Sequence, residues 1–232
     1  MVKLTPQIIW NLNEKELQTH LNSGIFKPQS STIRFYAPSF THYRNKHFCN
    51  STEEFPTISI TGNYCAMNCK HCGGKVLETM HPAVSTEELF ELGLRLKANG
   101  AKGVLVSGGC LADSSVPLDE FTPVLARFKQ ELGLTVFVHT GIIKSKTAFA
   151  LKDAGVDVAL MDVVGSEETI KSTFNLRVGV QDYAKSLKAL SESKLDTVPH
   201  VIVGLNEGRL DGECNALQII QKNIKPSALV II

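Results

Sequence analysis

From about residue 55 onward, β-branched apolar runs alternate with stretches of helical periodicity. The runs are FPTISIT (55–61), GVLVS (103–107), LTVFVHT (134–140), VDVALMD (156–162), VPHVIVG (198–204) and ALVII (228–232), and they predict six strands. Because these runs are apolar almost throughout, their strands should be covered on both faces, as in a parallel sheet packed under helices. The clearest helix opens at Ser85-Thr86-Glu87-Glu88, a capping box, continues with Leu89, Leu92 and Leu96 on one face, and closes at Asn99-Gly100. Further helices are predicted over 119–132, 144–154, 179–192 and 213–223. Strand-helix alternation of this kind makes an α/β fold, either an open doubly wound sheet or a barrel, and alternation alone does not choose.

The first 54 residues differ in character and read as an N-terminal extension, with a helix predicted over 13–23 and a polar, aromatic stretch, IRFYAPSFTHYRNKHFC, over 33–49. No internal repeat or low-complexity linker divides the chain, so residues 55–232 form one domain whose sixth strand runs to Ile232. With 43% hydrophobic residues in 232, the chain has ample material for a core. Lysine and arginine number 24 against 23 aspartates and glutamates, a formal net charge of +1, so no global field favours nucleic acid or an anionic membrane. No apolar run approaches the roughly 20 residues of a membrane helix. The N-terminus also lacks the long apolar stretch and cleavage site of a signal peptide, and a cytoplasmic protein is expected.

In parallel α/β folds the chemistry gathers at the C-terminal ends of the strands. Those exits carry Thr61-Gly62-Asn63-Tyr64-Cys65, Ser107-Gly108-Gly109-Cys110, His139-Thr140-Gly141, Asp162 and Gly204-Leu205-Asn206-Glu207. Cys65, Cys69 and Cys72 crowd into eight residues as C-x3-C-x2-C, in a loop whose glycines at 62, 73 and 74 allow it to fold back. Zinc normally takes four ligands in two pairs, and this triplet supplies three, with His71 wedged next to cysteines where it cannot easily share their metal. An iron-sulfur cluster accepts three thiolates and leaves one iron open. Both readings make the loop a metal site.

The triplet after the first strand, the Gly-Gly turn after the second and Gly204-x-x-Glu207 after the fifth together resemble the radical S-adenosylmethionine (radical SAM) superfamily, over residues 55–232. FPTISITGNYCAMNCKHC, GVLVSGGC and VPHVIVGLNEGRLDGE look most like its biotin synthase-like branch, in particular the two-subunit type of lipoyl synthase of anaerobes. The resemblance implies a partial (βα)6 TIM-like barrel with parallel strands. It implies a [4Fe-4S] cluster on Cys65, Cys69 and Cys72, whose open iron chelates S-adenosyl-L-methionine. An electron from the cluster then cleaves the sulfonium, and the 5'-deoxyadenosyl radical so formed takes hydrogen from an unactivated carbon.

By the same resemblance, the backbone of Ser107, Gly108 and Gly109 meets the cofactor's methionine amino group, although Cys110 replaces the family's usual acidic residue. Asp162 would accept from the ribose hydroxyls, Arg177 would hold the cofactor carboxylate, and Gly204 to Glu207 would meet the adenine. His139 and Thr140 could face substrate, while no residue is assigned a catalytic role. Sulfur insertion needs a sulfur source, which in the related synthases is an auxiliary iron-sulfur cluster. Cys49, Cys110 and Cys214 are spare cysteines for one, within this chain or shared with a partner. The implied partners are a small-molecule or carrier-bound acyl substrate, a reductant such as ferredoxin or flavodoxin, and a second radical SAM subunit. The competing functions are another radical SAM reaction (rearrangement, methylation or activase), or an iron-sulfur or zinc protein without catalysis.

Overall fold

The computed structural model describes residues 5, 8–9, 11–24, 44–47, 49, 51, 53–174 and 178–232. The chain divides into two compact units, residues 1–37 and 38–232. In the first, helix α1 (Glu14–Asn22) is opened by Asn13, whose side chain accepts from the Glu16 backbone N–H while the Glu16 carboxylate accepts from the Asn13 N–H. This reciprocal cap satisfies donors that a helix start leaves open.

The second unit is built on seven strands, β1 (Thr57–Ser59), β2 (His81–Pro82), β3 (Gly103–Ser107), β4 (Thr135–His139), β5 (Val158–Asp162), β6 (Asp196–Val201) and β7 (Val230–Ile231). They form one sheet in the order β2-β1-β3-β4-β5-β6-β7, every neighbouring pair parallel. This is the expected α/β partial barrel with one strand more than the six predicted. The extra strand, β2, has only two residues, one of them proline, and such a segment leaves no periodicity to detect.

The crossovers are helices α2 (Thr86–Ala98), α3 (Thr122–Gln130), α4 (Ser145–Asp153), α5 (Glu167–Thr173), α6 (Val180–Glu192) and α7 (Glu213–Asn223). At α2 the Ser85 side chain accepts from the Glu88 N–H, but the Glu88 carboxylate reaches one residue further back, to the Val84 N–H. Among the described residues, no helix is long and apolar enough to cross a membrane.

The two faces of the sheet are buried to different degrees. One face carries Ile58, Val104, Val106, Val136, Val138, Ala159 and Met161, all fully buried in a core with Leu89, Phe128, Leu151, Leu187 and Leu190 of the helices. Each such side chain contributes about 1.5–3 kcal/mol on burial. The other face, with Leu105, Phe137, His139, Leu160, Asp162, Val198 and His200, is half-buried. It lines the barrel interior and turns from apolar to polar toward the C-terminal ends of the strands. At the opposite end Phe55 packs edge-on against Phe137, with ring centroids 5.0 Å apart.

The loop after β5 nests on the start of α7 at a point where two glycines meet. A Cβ on Gly165 would lie 2.2 Å from the Gly212 carbonyl oxygen and 2.4 Å from the Ala216 nitrogen. Gly165→Ala should therefore cost about 1–3 kcal/mol through overpacking. Gly133→Ala, where the added Cβ meets nothing within 4 Å, should cost only the left-handed backbone penalty of about 1 kcal/mol. Urea unfolding of the two variants checks this, and a Gly165 variant no less stable than the Gly133 one would remove the close approach from the account.

Candidate functional site: a cysteine loop at the barrel mouth

The chain leaves β1 through Ile60 and Thr61 and enters the cysteine loop, which is held from two sides. On one side the Ala66 N–H donates to the Cys110 carbonyl (2.9 Å), joining the loop to the turn after β3. On the other, the Lys70 N–H donates to the Thr173 carbonyl (2.9 Å), joining it to the end of α5, and the exposed His71 ring packs on Phe174 at 5.0 Å. Between these ties Met67 and Cys69 are buried, while Cys65 and Cys72 are half-buried. The Cys72 and Gly73 N–H groups both donate to the Cys69 carbonyl, and Asn68 and Gly73 take left-handed φ values of 43° and 54°. His71 packs on Phe174, and partial desolvation there lowers its pKa against the raising effect of Asp162.

The Gly-Gly turn is pressed onto this loop. A Cβ on Gly109 would fall 2.1 Å from the Tyr64 carbonyl oxygen and 2.6 Å from the Cys65 Cβ. Thr61, named at the first strand exit but given no role from the sequence, stitches the two together: its Oγ1 accepts from the Gly109 N–H (2.7 Å) and donates to the Tyr64 carbonyl (2.9 Å). Ser107 is used within the sheet, its hydroxyl donating to the His139 carbonyl and its own carbonyl accepting from the Ile60 N–H. The carbonyls of Gly108 and Gly109 accept no hydrogen bond among the described residues, so they are the acceptors this turn offers a ligand.

Cys110 sits against the triplet. Burial pushes its thiol up to about 12, with the Cys65, Cys69, Asp162 and Cys72 charges adding in the same direction. Cys49 is exposed and bridges Arg44 in an isolated antiparallel pair, and Cys214 lies in the first turn of α7.

On the inner face of the sheet Asp162 lies between two histidines. His139 Nε2 is 3.5 Å from its Oδ2, and His200 Nδ1 is 3.4 Å from its Oδ1. Burial alone would lower the His139 pKa, but the Asp162 carboxylate outweighs it and holds it above the ordinary value. Burial alone would likewise raise Asp162, and His139 and then His200 hold it well below the usual carboxylate range. His200 was not singled out from the sequence, although strand alternation puts it on the face of Asp162.

After β6 the chain turns at Gly204, whose φ is +75° and whose N–H donates to Glu213 Oε1 (2.8 Å). Glu207 is exposed, with a left-handed φ of 52°. Beside this turn a small cavity is lined by Asp162, Val164, Thr169, Asp211 and Glu213 among others. Asp211 accepts from the Ser166 and Thr169 hydroxyls and the Asn206 amide, and these hydrogen bonds, Ser166 first, lower its pKa. Glu213 Oε2 is buried without a partner among the described residues. Glutamate in the first turn of a helix ordinarily reads as a partner of the helix dipole, which is why its inward role was missed. Arg177 lies outside the described residues.

The donor chemistry fits a cluster rather than one ion. Four thiolates around one zinc at about 2.3 Å stand about 3.8 Å apart. Among the described residues the three sulfurs do not all fall within 4.8 Å of one another. The family model of the radical SAM superfamily matches residues 59–210. The chain belongs to that superfamily. Biotin synthase of Leptospira biflexa (strain Patoc 1) is 28% identical over 170 residues, which are 71% of this chain and 48% of that protein. Biotin synthase of Coxiella burnetii (strain Dugway 5J108-111) is 27% identical over 192 residues, 80% of this chain and 59% of that one. The chain thus spans about half the length of the curated relatives it matches. Among solved structures, HydG, a maturase of the [FeFe]-hydrogenase, superposes with a TM-score of 0.61 at 14% identity, over 99% of this chain and 51% of its own. Methylornithine synthase superposes with a TM-score of 0.57 at 14% identity, over 77% and 52%. Both likenesses are of fold.

Gly109→Ala should lower stability by about 2 kcal/mol and iron uptake together, because the new methyl group meets the cysteine loop itself. Unchanged melting and iron content would show the two segments are not in contact. In chelator-containing buffer the Asp162-His139 pair should stabilise most between about pH 4 and 6.5. Asp162 has a depressed pKa, so its share is present above its unfolded value and lost as pH falls. His139 has a raised pKa, so its share is present below its unfolded value and lost as pH rises through the folded one. Asp162→Asn should thus lower the melting temperature more at pH 5.5 than at pH 9, and equal losses would refute the pairing.

Proposed function

We propose that this chain is the catalytic barrel of a radical SAM enzyme of the biotin and lipoyl synthase type, which takes hydrogen from an unactivated carbon to prepare it for sulfur insertion. The observation that carries the reading is the cysteine loop pinned against a glycine turn with two open carbonyls, at the C-terminal mouth of a parallel partial barrel. Cys65, Cys69 and Cys72 would hold a [4Fe-4S] cluster. When bound with S-adenosyl-L-methionine, the cluster supplies one electron to the sulfonium and so a carbon-centred radical.

The chain's own share is binding and exclusion. The Gly108 and Gly109 carbonyls accept from the methionine ammonium group, and only a glycine lets that turn lie flat on the loop. The turn from Gly204 to Glu207 receives the adenine. The orphaned Glu213 Oε2 is a ready acceptor for its amino group, since a buried carboxylate oxygen without a donor is costly. Arg177 takes the cofactor carboxylate. The apolar lower interior, with Leu105, Phe137 and Leu160, keeps water from the radical. An acylated carrier or a small acid is the substrate, ferredoxin or flavodoxin the reductant, and a second radical SAM subunit or an auxiliary cluster the source of sulfur. The 22–28% identity to biotin synthases supports the sulfur-insertion branch.

Anaerobic reconstitution should load about four irons per chain on the triplet, and dithionite with S-adenosyl-L-methionine should then release 5'-deoxyadenosine. Cys65→Ala, Cys69→Ala and Cys72→Ala should each abolish release and lose most of that iron while the far-ultraviolet spectrum is kept, because the ligands lie on a loop. Full cleavage in any of the three would overturn the reading. An octanoylated carrier domain, added with and without a candidate second subunit, tests the branch: sulfur-free product under both conditions would refute sulfur insertion.

A further inference from the structure

The cysteine loop is not the tightest gathering of ligand atoms among the described residues. Among the described residues, one set of three ligand atoms from His, Cys, Asp or Glu lies within 4.8 Å of one another: His139, Asp162 and His200. We propose that these three side chains bind one divalent transition-metal ion of borderline softness, zinc or ferrous iron, inside the barrel.

The separations carry the argument. An ion with metal-nitrogen and metal-oxygen bonds of about 2.0–2.2 Å and near-tetrahedral angles holds its ligand atoms about 3.4 Å apart. His139 Nε2 is 3.5 Å from Asp162 Oδ2 and His200 Nδ1 is 3.4 Å from Asp162 Oδ1, and one ligand atom from each of the three residues lies within 4.8 Å of the others. Both are longer than the 2.7–3.2 Å usual for an N–H···O hydrogen bond. The carboxylate therefore stands within reach of both imidazole nitrogens, one on each of its oxygens. The rings lie 5.8 Å apart at 52°, tilted rather than stacked.

Strand register sets the arrangement. Asp162 pairs directly with His200 across β5 and β6, and His139 pairs with Leu160, two residues before Asp162 on the same face of β5. The three side chains thus project from the ends of three adjacent strands of a rigid sheet, which is how a precise site is best held. Metal binding requires the imidazole nitrogens to be deprotonated, so an ion here would take the place of the protons that the Asp162 carboxylate otherwise attracts. Two nitrogens and one oxygen suit zinc or ferrous iron rather than calcium or magnesium, and three protein ligands leave coordination positions open. Those positions face the barrel interior, where an oxygen of a substrate or water can take them. Asp162 is thereby assigned to a metal and not to ribose hydroxyls. The site stands whatever reaction the cysteine loop serves.

The test uses the full chain with Cys65, Cys69 and Cys72 all replaced by serine, stripped with chelator and titrated anaerobically with Zn2+, Fe2+ or Co2+. The parent of this series should bind about one ion per chain. Bound cobalt should lack thiolate charge-transfer absorption and show two imidazole nitrogens by electron-nuclear double resonance. His139→Gln and His200→Gln should each weaken zinc binding by about 100-fold or more, since loss of an outer partner alone costs about 10–100-fold. Cys110→Ser should leave it unchanged. If the glutamine variants fail to fold, the cobalt spectrum of the parent still decides. Strong thiolate absorption, absence of imidazole nitrogens, or no uptake of any of the three ions would each overturn the proposal, and retained affinity in folded glutamine variants would do the same.

Discussion

The site depends on one close approach, that of the Gly108-Gly109 turn to the backbone of Tyr64 and Cys65. A methyl group at Gly109 would come within 2.1 Å of the Tyr64 carbonyl oxygen, so the contact exists only because the residue has no side chain. Everything local follows. Thr61 can serve Gly109 and Tyr64 with one hydroxyl, the Ala66 N–H reaches the Cys110 carbonyl, and the thiols are carried to the mouth of the barrel. Among the described residues the two glycine carbonyls of this turn accept no hydrogen bond. One steric allowance thus positions the three cysteines and the turn beside them.

The sheet contributes through its two unlike faces. Under the helices it is a dry core of valine, isoleucine, leucine and phenylalanine, which sets the register of the strands. Toward the interior, each strand carries its side chains to a different height, and near the strand ends Ser107, His139, Asp162 and His200 replace apolar residues. Polar groups placed this way are addressed by register, and a shift of one residue in any strand would turn them into the core.

Much of this was legible from the chain. The strands of β3, β4 and β5 lie within one or two residues of the predicted runs, and α7 occupies the predicted 213–223, because each has length, periodicity and glycine or polar punctuation. The radical SAM family was also legible from the cysteine spacing and the turns, and the family match bears it out. Helix α5 was not, since its seven residues include three threonine or isoleucine positions that favour no helix. The inner brackets of the site were hidden for a different reason. Thr61 and Glu213 act through tertiary neighbours 48 and 9 residues away, and nothing at their own positions distinguishes a stitching hydroxyl or an inward carboxylate from ordinary surface residues. His200 could have been found by extending alternation from Asp162 to the next strand.

The cysteine loop is tied at both ends, by Ala66 to Cys110 and by Lys70 to Thr173, with Met67 buried between the ties. A segment anchored in this way opens as a cooperative unit rather than residue by residue. Cys69 lies between the anchors and Cys65 and Cys72 just beyond them, so local opening disperses all three thiols in one event. The arrangement of the three thiols therefore depends on the docking of α5 and of the β3 turn as much as on the loop's own residues.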